Sequence, residues 1–388
     1  MIKLFGDKII WSICIVLFIA SVLLIYSSGG YTSLSSHVTH VFLGLGLVYI
    51  FSRFNYRYFN NLSTLLLGVS IIMLVWLIVS PSSYRGEVFA SRWIKLGFMS
   101  FQPSELAKYS LILFLCRNLV LYKDKLYSFT LFFKHILLPS IIVGFLIIQS
   151  NLSTVVLIII LLVLLVFMSG YSISYFFKYM IFPFILISSI FFSFFILPPI
   201  KIIDTTFPRL TTWKNRICAK ELNFMPLVWI DCSSYDHSKK YDNNYQVNNA
   251  LSAINRGGVL GSGAGKSYYK RILPDSKSDF IFAILLEEYG LGGGVTVLFL
   301  YLLFYQRILI LSIHSKEEFA RLLLLGLGSM IVFQAFLHML VSVNLIPVTG
   351  QTLPLISKGG SSVWVTSLAV GIILNISHQI KYQNNLHE

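Results

Sequence analysis

Apolar residues in this chain cluster into long runs that are separated by short polar connections. Most of these runs are close to the ~20 residues that a helix needs to cross a bilayer, although the second is short. The runs lie at about 9–26, 38–52, 61–79, 103–119, 130–148, 152–169, 174–197, 279–306, 319–343 and 361–379. The pattern predicts an all-α polytopic membrane protein with about ten transmembrane helices. Because membrane bundles of this size are usually one unit, we expect residues 1–388 to form a single domain.

Basic residues in the connections orient the bundle, because Lys and Arg concentrate on the cytoplasmic side of a membrane. With the N-terminus inside, the inner connections and the tail carry Arg53, Arg57, Lys123, Lys125, Arg307, Lys316, Arg321 and Lys381. Both termini are therefore predicted to be cytoplasmic, with residues 198–278 forming a long extracytoplasmic loop between helices 7 and 8. The outer connection 80–102 breaks the rule with Arg85, Arg92 and Lys95. Arg92 and its neighbour Trp93 are therefore candidate substrate contacts.

The composition excludes an ordinary soluble protein. Hydrophobic residues make up 56% of the chain, charged residues make up 12%, and the mean hydropathy is +0.76. In typical soluble domains about a quarter of the residues are charged. The formal net charge of +14 does not require a nucleic acid partner, because basic residues near a membrane surface favour anionic lipid headgroups.

The four cysteines fall into two groups. Cys14 and Cys116 lie in apolar runs and are expected to be packing residues. Cys218 and Cys232 lie in the long outer loop, where a disulfide bridge can persist, and both the bridged and the free form stay open. Their spacing is not that of a metal site.

The long outer loop is basic and contains interleaved aromatic residues. Between Lys201 and Lys277 it carries twelve Lys or Arg and six Asp or Glu. Arg side chains can bind phosphate in a bidentate manner, so this surface suits an anionic headgroup; a solvated basic loop is the alternative interpretation. The candidate substrate-binding residues of this loop are Arg209, Trp213, Lys214, Arg216 and Lys266.

The segment GSGAGKS at 261–267 is similar to a phosphate-binding P-loop but does not match it. The motif requires glycine at position 260, which is leucine here, and no strand leads into the segment. We therefore expect a flexible approach to the site rather than a nucleotide loop. Its glycines still allow backbone N–H groups to come close to a phosphate.

Three carboxylates lie at the start of the eighth apolar run or within it, at Asp279, Glu287 and Glu288. Ser278 or Asp279 is a favoured residue type for the N-cap of the eighth helix, so a capping role and a chemical role both stay open for Asp279. The two glutamates would lie ~12–14 Å below Asp279, near the middle of the membrane, where carboxylates usually face a partner or a cavity. A bend is predicted just below them, at a cluster of glycines that begins with Gly290.

Two further segments carry polar residues inside apolar sequence. Glu105 and Lys108 stand three positions apart on the fourth helix and are expected to pair, or to neutralise the glutamates across the bundle. The predicted buried polar network comprises Gln102, Glu105, Lys108, Glu287 and Glu288. Two prolines and three glycines within residues 347–362 predict a shaped, non-helical connection that lines a cavity, to which Lys358 adds a cation.

Several of these segments, in this order, resemble the SEDS family (shape, elongation, division and sporulation). They are SRWIKLG and FQPSELAK near 91–108, TTWKNRI at 211–217, the glycine-rich residues 257–265, LPDSKSDFIFAILLEEYGLGG at 273–293 and IPVTGQTLPLISKGGSS at 346–362. The resemblance implies the ten-helix SEDS fold in a bacterial cytoplasmic membrane. It also implies a peptidoglycan glycosyltransferase that polymerises lipid II on the outer face of that membrane during cell division.

The same resemblance implies roles for residues and partners. Asp279 matches the family's catalytic aspartate and would act as general base, and undecaprenyl pyrophosphate would leave with inversion at the anomeric carbon. The implied partners are lipid II, a class B penicillin-binding protein that crosslinks the new strand, and other divisome proteins at the septum. A divalent cation is compatible with the family, although no metal ligands are predicted here.

The chain departs from the family's pattern at a few positions. Asn151 stands in Q-S-N-L-S-T where the family commonly has Q-P-D-L-G-T, Lys358 replaces a frequent tyrosine, and Asp275 replaces a usual glutamate. The change at Asn151 removes a carboxylate and weakens the case for a metal or proton role at that position. None of the departures affects Asp279, Glu105 or Lys108.

Two other functions stay open. A lipid II flippase would use intramembrane charges to line a path, and a scaffold would only position the penicillin-binding protein. A transferase needs its chemistry near the outer surface, where Asp279 and the basic loop are predicted to lie. A flippase would need comparable polar groups towards the cytoplasm, where the inner connections carry only scattered Lys and Arg.

Overall fold

The structure is a computed structural model. It describes residues 5–79, 93–96, 99–148, 150–171, 174–175, 179 and 240–385. Most of the predicted seventh helix (174–197) and most of the long outer loop lie outside these ranges. Arg92, Arg209, Trp213, Lys214, Arg216, Cys218 and Cys232 therefore also lie outside the described residues.

The described part of the chain is almost entirely helical, as the apolar pattern predicts. Its helices are α1 (Lys8–Arg53), α2 (Arg57–Val79), α3 (Pro103–Leu121), α4 (Phe129–Phe132), α5 (Leu138–Ile148), α6 (Leu152–Met168), α7 (Lys240–Gly257), α8 (Ile281–Ile313), α9 (Glu318–Ser342) and α10 (Gly360–Asn385). A π-helical turn, Phe133–Leu137, joins α4 to α5, and a 3₁₀ turn, Tyr269–Arg271, precedes α8. The strands β1 (Ile94–Leu96) and β2 (Met99–Phe101) form an antiparallel hairpin that leads into α3.

Within the described residues, seven stretches of helix are long and apolar enough to cross a membrane. They are Lys8–Tyr31, Ser33–Arg53, Arg57–Val79, Phe129–Ile148, Ile281–Ile313, Glu318–Ser342 and Gly360–Tyr382. The apolar helix α6 is shorter, and α3 carries the charged residues Glu105, Lys108 and Arg117 within its length. These elements coincide with nine of the predicted runs, which confirms the multi-pass helical architecture.

Two of the long helices bend at a glycine. In α1 the backbone at Gly30 has φ 63° and ψ −168°, so α1 comprises the two predicted spans joined without a loop. In α8 the backbone at Gly290 has nearly the same angles, φ 66° and ψ −167°. Only glycine adopts such angles without strain. The predicted bend below the glutamates is therefore confirmed.

The helices α9 and α10 form the centre of the bundle. Their apolar windows are the most enclosed of the spanning helices in the described residues. Helix α9 packs against α3, α6, α8 and α10, while α10 also packs along α1. Polar side chains on α3 and α9 are therefore turned towards one another inside the protein rather than towards lipid.

The N-terminus is fixed to the same bundle through Asp7. Its carboxylate accepts hydrogen bonds from the backbone of Ile9 (2.9 Å) and Ile10 (3.3 Å), and so caps α1. It also accepts two hydrogen bonds from the Arg307 guanidinium, at 2.9 and 2.7 Å. Burial alone would raise the pKa of Asp7, but the hydrogen bonds and the charge of Arg307 bring that pKa below its ordinary value.

Candidate active site

The connection between α9 and α10, residues 347–359, is here called the proline loop. It is buried between helices, and its Pro354 carbonyl accepts a hydrogen bond from the Tyr301 hydroxyl of α8. Within it, Gly350 and Leu355 have positive φ angles of 66° and 63°. The shaped, non-helical connection predicted from the sequence is therefore present, enclosed by protein as buried irregular backbone must be.

The proline loop is bonded to the residues that precede α8. The Ser357 hydroxyl donates to the Ser278 carbonyl oxygen at 2.7 Å and accepts from the Leu353 backbone N–H at 2.8 Å. The Lys358 backbone N–H donates to the Lys277 carbonyl at 2.9 Å. Residues 357 and 358 of the proline loop are thus bonded to residues 278 and 277. Asp279 follows Ser278 directly in the chain.

Asp279 lies in the turn before α8 and is partly buried. Its backbone N–H donates to the Asp275 carbonyl at 3.0 Å. The N-cap position of α8 belongs to Phe280, which makes no side-chain capping bond. Phe280 rather than Ser278 or Asp279 therefore stands at the N-cap position, because the turn from Asp275 delays the start of the helix.

Glu105 and Lys108 form the pair that their spacing predicts. The Lys108 ammonium lies 2.8 Å from a Glu105 carboxylate oxygen, and both side chains are buried. The same ammonium donates to the Gln334 amide oxygen of α9, also at 2.8 Å. A buried ion pair needs such further bonds, because its own attraction barely offsets the loss of hydration.

This pair extends by hydrogen bonds into the proline loop. The Gln334 amide nitrogen donates to the Thr352 carbonyl at 3.0 Å, and the Thr352 hydroxyl lies 2.8 Å from the Ser362 hydroxyl. Ser362 in turn donates to the second Glu105 oxygen at 3.5 Å. The closed set Glu105, Lys108, Gln334, Thr352 and Ser362 is called the Glu105 network. It supports the loop that holds Ser278 in place.

Gln102 joins the same region from the start of α3. Its backbone N–H donates to the Ser361 hydroxyl at 3.1 Å, and its side-chain amide donates to the Ser104 hydroxyl at 3.0 Å. Ser361 is the neighbour of Ser362 in the chain. Gln102 therefore fastens the first turn of α3 to the first turn of α10, beside the Glu105 network.

Glu287 and Glu288 do not belong to this network. The Glu287 carboxylate accepts from the Ser267 hydroxyl and from the backbone N–H groups of Tyr268 (2.8 Å) and Tyr269 (3.3 Å). Glu288 accepts from the Ser27 hydroxyl of α1. The prediction of one network containing all the intramembrane carboxylates is wrong, because the glutamates have local partners on their own side of α8.

The Gly290 bend divides α8 into two parts of unequal length. The part of α8 after the Gly290 bend, residues 291–313, extends ~35 Å, which by itself is enough to cross a ~30 Å hydrocarbon layer. Glu287 and Glu288 precede the bend. They therefore lie in the shorter part of α8, outside the segment that is long enough to cross by itself.

The glycine-rich residues 257–265, here called the glycine clasp, pack directly against the bend in α8. Ser262 and Gly263 donate their backbone N–H groups to the carbonyls of Glu287 (2.9 Å) and Glu288 (3.0 Å). A Cβ atom on Gly261 would lie only 2.3 Å from the Glu288 carbonyl oxygen. The expectation of a flexible approach is wrong, because the glycines permit close backbone contact with α8. The anion bound beside the clasp is the carboxylate of Glu287, a residue of the protein itself.

Two lysines lie beside Asp279 in the assembled site. The Lys277 ammonium donates to the Ser33 hydroxyl of α1 at 3.1 Å. The side chain of Lys358 is half-buried, and burial together with the nearby Lys277 charge lowers its pKa. Among the other candidate contacts, Lys266 is exposed and Trp93 is partly exposed at the start of the β1–β2 hairpin.

Sequence reasoning missed Gln334, Thr352, Ser357 and Ser362. Gln334 carried a usable signal, since an amide in the middle of an apolar run usually has a partner. Asn151 proves to be the N-cap of α6, where its side chain accepts from the Ser153 N–H at 3.1 Å. The short β1–β2 hairpin was missed as well, because strands of three residues are too short for alternation to be visible.

The described residues do not fit a divalent cation site. Within them, no three His, Cys, Asp or Glu side chains come together in a group that would hold a metal ion. No step of the chemistry considered below is therefore assigned to a metal.

Sequence comparison relates the chain to known proteins over nearly its whole length. A sequence model of the family FTSW_RODA_SPOVE, described as "Cell cycle protein", matches residues 7–382. The "Probable peptidoglycan glycosyltransferase FtsW" of Geobacter sulfurreducens is 28% identical, covering 97% of this chain and 96% of that protein. The protein of the same description from Nitrosomonas europaea is 31% identical, covering 89% of this chain and 83% of that protein. "Stage V sporulation protein E" of Bacillus subtilis is 30% identical over 88% and 86%.

Solved structures of other proteins share the fold. One, described as "Structural coordination of polymerization and crosslinking by a peptidoglycan synthase complex", has a TM-score of 0.70 at 22% identity and covers 98% of this chain and all of the matched chain. The rod shape determining protein RodA of Thermus thermophilus has a TM-score of 0.63 at 23% identity and covers 97% of this chain and 98% of that chain. At these identities the likeness concerns the fold.

Proposed function

Because the chain belongs to the FtsW, RodA and SpoVE family of cell cycle proteins, we propose that it is a peptidoglycan glycosyltransferase that polymerises lipid II. One structural observation carries the proposal. Asp279 follows directly after two residues that are bonded to the buried proline loop, so the backbone next to its carboxylate is held in place. A general base is effective only when it is held within reach of the proton that it accepts.

In the proposed reaction Asp279 accepts the proton of the 4-hydroxyl group on the acceptor sugar. The hydroxyl oxygen attacks the anomeric carbon of the donor while the bond from that carbon to the diphosphate oxygen breaks. The bonding electron pair leaves with undecaprenyl pyrophosphate, and the configuration at the anomeric carbon inverts. General base assistance of this kind typically contributes ~10²–10⁴ in rate.

The Glu105 network has a positioning role in this proposal. It touches neither sugar directly, but its bonds through Gln334 and Thr352 fix the proline loop. The loop fixes Ser278 through Ser357. Loss of the network would therefore misplace Asp279 rather than remove a reacting group.

Cations near Asp279 would stabilise the negative charge that develops on the leaving diphosphate. Lys358 is the candidate that lies next to the Asp279 turn, and Lys266 lies farther out beyond the glycine clasp. Arg92, Trp93, Arg209, Trp213, Lys214 and Arg216 stay proposed substrate contacts on the basis of the sequence. The proposal assigns the chemistry to the outer face of the membrane, with both termini in the cytoplasm and residues 1–388 acting as one domain.

A class B penicillin-binding protein is the proposed partner. Support comes from the solved peptidoglycan synthase complex, whose description couples polymerisation to crosslinking and whose matched chain has this fold. Similarity to proteins named FtsW supports a place among the divisome proteins at the division septum.

The test is polymerisation of purified lipid II by the full chain, with and without a class B penicillin-binding protein whose own activity is limited to crosslinking. The proposal predicts glycan strands that are longer than the disaccharide unit. If no polymer forms with any such partner while lipid II is bound or moved across vesicles, the transferase proposal is contradicted and a transport role is favoured.

A further inference from the structure

Two histidines on α1, just after the Gly30 bend, have buried ring nitrogens that make no hydrogen bond to any described residue. These atoms are Nδ1 of His37 and Nδ1 of His40. The indole N–H of Trp364, whose ring centroid lies 5.2 Å from that of His40, is likewise buried and makes no hydrogen bond there. Buried polar groups are usually bonded, so several unpartnered groups in one place indicate that a polar ligand or water belongs there.

The tautomer of His37 follows from counting hydrogens. The Ser21 hydroxyl has one hydrogen, which it donates to the Ile356 carbonyl of the proline loop at 2.6 Å. The contact of 2.6 Å between Ser21 and Nε2 of His37 therefore requires His37 to be the donor. In the neutral ring Nδ1 then carries only a lone pair, so this nitrogen is free to take up a proton.

The histidines form one side of a cationic group. Ser33, His37 and His40 lie on one face of α1, at spacings of four and three residues. The Lys277 ammonium is bonded to Ser33, and the Lys358 ammonium lies within electrostatic range of both imidazoles. His40 also packs against the backbone of Gly360, at the end of the proline loop.

This group adjoins the proposed base. Lys277 and Lys358 are joined through their backbones at 2.9 Å, and Asp279 is two residues beyond Lys277. Two ammonium groups and two imidazoles close together repel one another when charged. The repulsion is relieved when a polyanion lies among them, and the imidazoles are then favoured in the protonated form.

We propose that His37, His40, Lys277 and Lys358 form the subsite that binds the diphosphate of the lipid-linked donor. The proposal rests on the proposed function, since that function supplies a donor of this chemical class. Lys277, Lys358 and His40 are the groups that contact the diphosphate, whereas the side chain of His37 is fully buried. His37 is a positioning residue that fixes the proline loop through Ser21.

The charges balance through the reaction. When the bond between the anomeric carbon and the diphosphate oxygen breaks, the diphosphate gains one negative charge while Asp279 holds the acceptor's proton. The ammonium groups and a protonated His40, which takes its proton from water when the diphosphate binds, stabilise that added charge by charged hydrogen bonds. No other co-reactant is needed.

The proposal is tested by binding of farnesyl diphosphate to the purified full chain in detergent. This probe carries a diphosphate on an isoprenoid but no sugar, so binding is measured without turnover. We expect His40→Gln and Lys358→Gln each to raise the Kd about tenfold, equal to ~1.4 kcal/mol, as for the loss of one hydrogen bond to a charged group. The matched control is His314→Gln, because His314 is exposed at the other end of α8, and its Kd should equal that of the wild type.

Competition experiments identify which kind of phosphate compound binds, and the pH dependence of the Kd tests whether His40 is protonated in the complex. Inorganic diphosphate should compete with the probe, whereas an excess of phosphatidylglycerol should not. In the wild type the Kd should rise with pH as the His40 imidazole loses its proton, and His40→Gln should flatten this rise. Among the described residues, His37, Lys277 and Lys358 are the other charged or titratable groups around His40, and they are the same in both proteins.

An unchanged Kd in both His40→Gln and Lys358→Gln would overturn the proposal, as would equal competition by phosphatidylglycerol. Thermal unfolding of each variant separates loss of the site from loss of the fold. A protein that binds the probe as expected but never polymerises lipid II would contradict the proposed function and leave the diphosphate subsite standing. If the wild type polymerises lipid II but the Kd is unchanged in both variants, the diphosphate subsite is contradicted and the proposed function stands.

Discussion

The Ser357 hydroxyl donates a hydrogen bond of 2.7 Å to the carbonyl of Ser278, which joins the proline loop to the residue immediately before Asp279. The two residues are 79 positions apart in the chain. The bond is the last link in a chain of contacts that begins at the Glu105–Lys108 ion pair. Its consequence is that changes far from Asp279 should alter catalysis through position alone.

Replacing Ser357 with alanine should lower the rate of lipid II polymerisation about fivefold. A hydrogen bond of this type contributes ~1 kcal/mol, and here its loss frees the backbone beside Asp279. Ser342→Ala is a matched control, because its hydroxyl is equally buried but donates within α9 to the His338 carbonyl. The assay is the initial rate of glycan formation, and equal losses in both variants would contradict the positioning role.

The Glu105–Lys108 pair should show strong coupling. Removing one partner by Glu105→Gln or Lys108→Met leaves a buried charge unpaired, which typically costs ~3–5 kcal/mol. The double substitution should destabilise the protein much less than the two single effects added together. Thermal unfolding in detergent over the four proteins of the cycle measures this coupling. Strictly additive effects would mean that the two side chains do not interact.

Gly261→Ala should destabilise the glycine clasp, whereas Gly265→Ala is its matched control. Both glycines have positive φ angles, 82° and 77°, so both substitutions bear the same kind of backbone strain. Only at Gly261 would the added methyl group meet backbone, 2.3 Å from the Glu288 carbonyl; at Gly265 nothing lies within 4 Å. Limited proteolysis of the outer segment should be faster in Gly261→Ala, and equal rates would contradict the close packing of the clasp.

Asp7 should contribute stability that depends on pH. Its pKa is below its ordinary value, so the contribution is fully present above the pKa of the unfolded chain and is lost as pH falls through the folded pKa. Asp7→Asn keeps a good N-cap but loses the Arg307 ion pair. The melting temperature of Asp7→Asn should therefore lie below that of the wild type at neutral pH, and the gap should close in acid. A gap that is independent of pH would contradict this assignment.

The parts of the fold that could be predicted are those that depend on local sequence. Apolar runs place the helices because backbone groups inside a bilayer must be bonded within the segment. The bend at Gly290 was predicted because glycine clusters weaken a helix locally. The start of α8 was predicted at residue 279 but lies at Ile281. Ser278 and Asp279, which are residue types that often begin a helix, instead belong to the turn from Asp275.

The contacts of the site could not be predicted in the same way. Spacing along α3 gave the Glu105–Lys108 pair, but Gln334 is 226 residues from Lys108 and no local pattern connects them. Glu287 and Glu288 were placed in one network with that pair because the pair could neutralise a carboxylate across the bundle. Glu287 instead binds the backbone of Tyr268 and Tyr269, and backbone donors leave no trace in the sequence.

The central claim is that Asp279 is the base of a polymerising transferase, and substitution of two neighbouring aspartates tests it most directly. Asp279→Asn and Asp275→Asn remove one carboxylate each from the same turn, and the side chain of Asp275 is exposed. With lipid II and the partner protein present, Asp279→Asn should polymerise ~10²–10⁴ times more slowly, while Asp275→Asn should keep the wild-type rate. Polymerisation by Asp279→Asn at the wild-type rate would contradict the account.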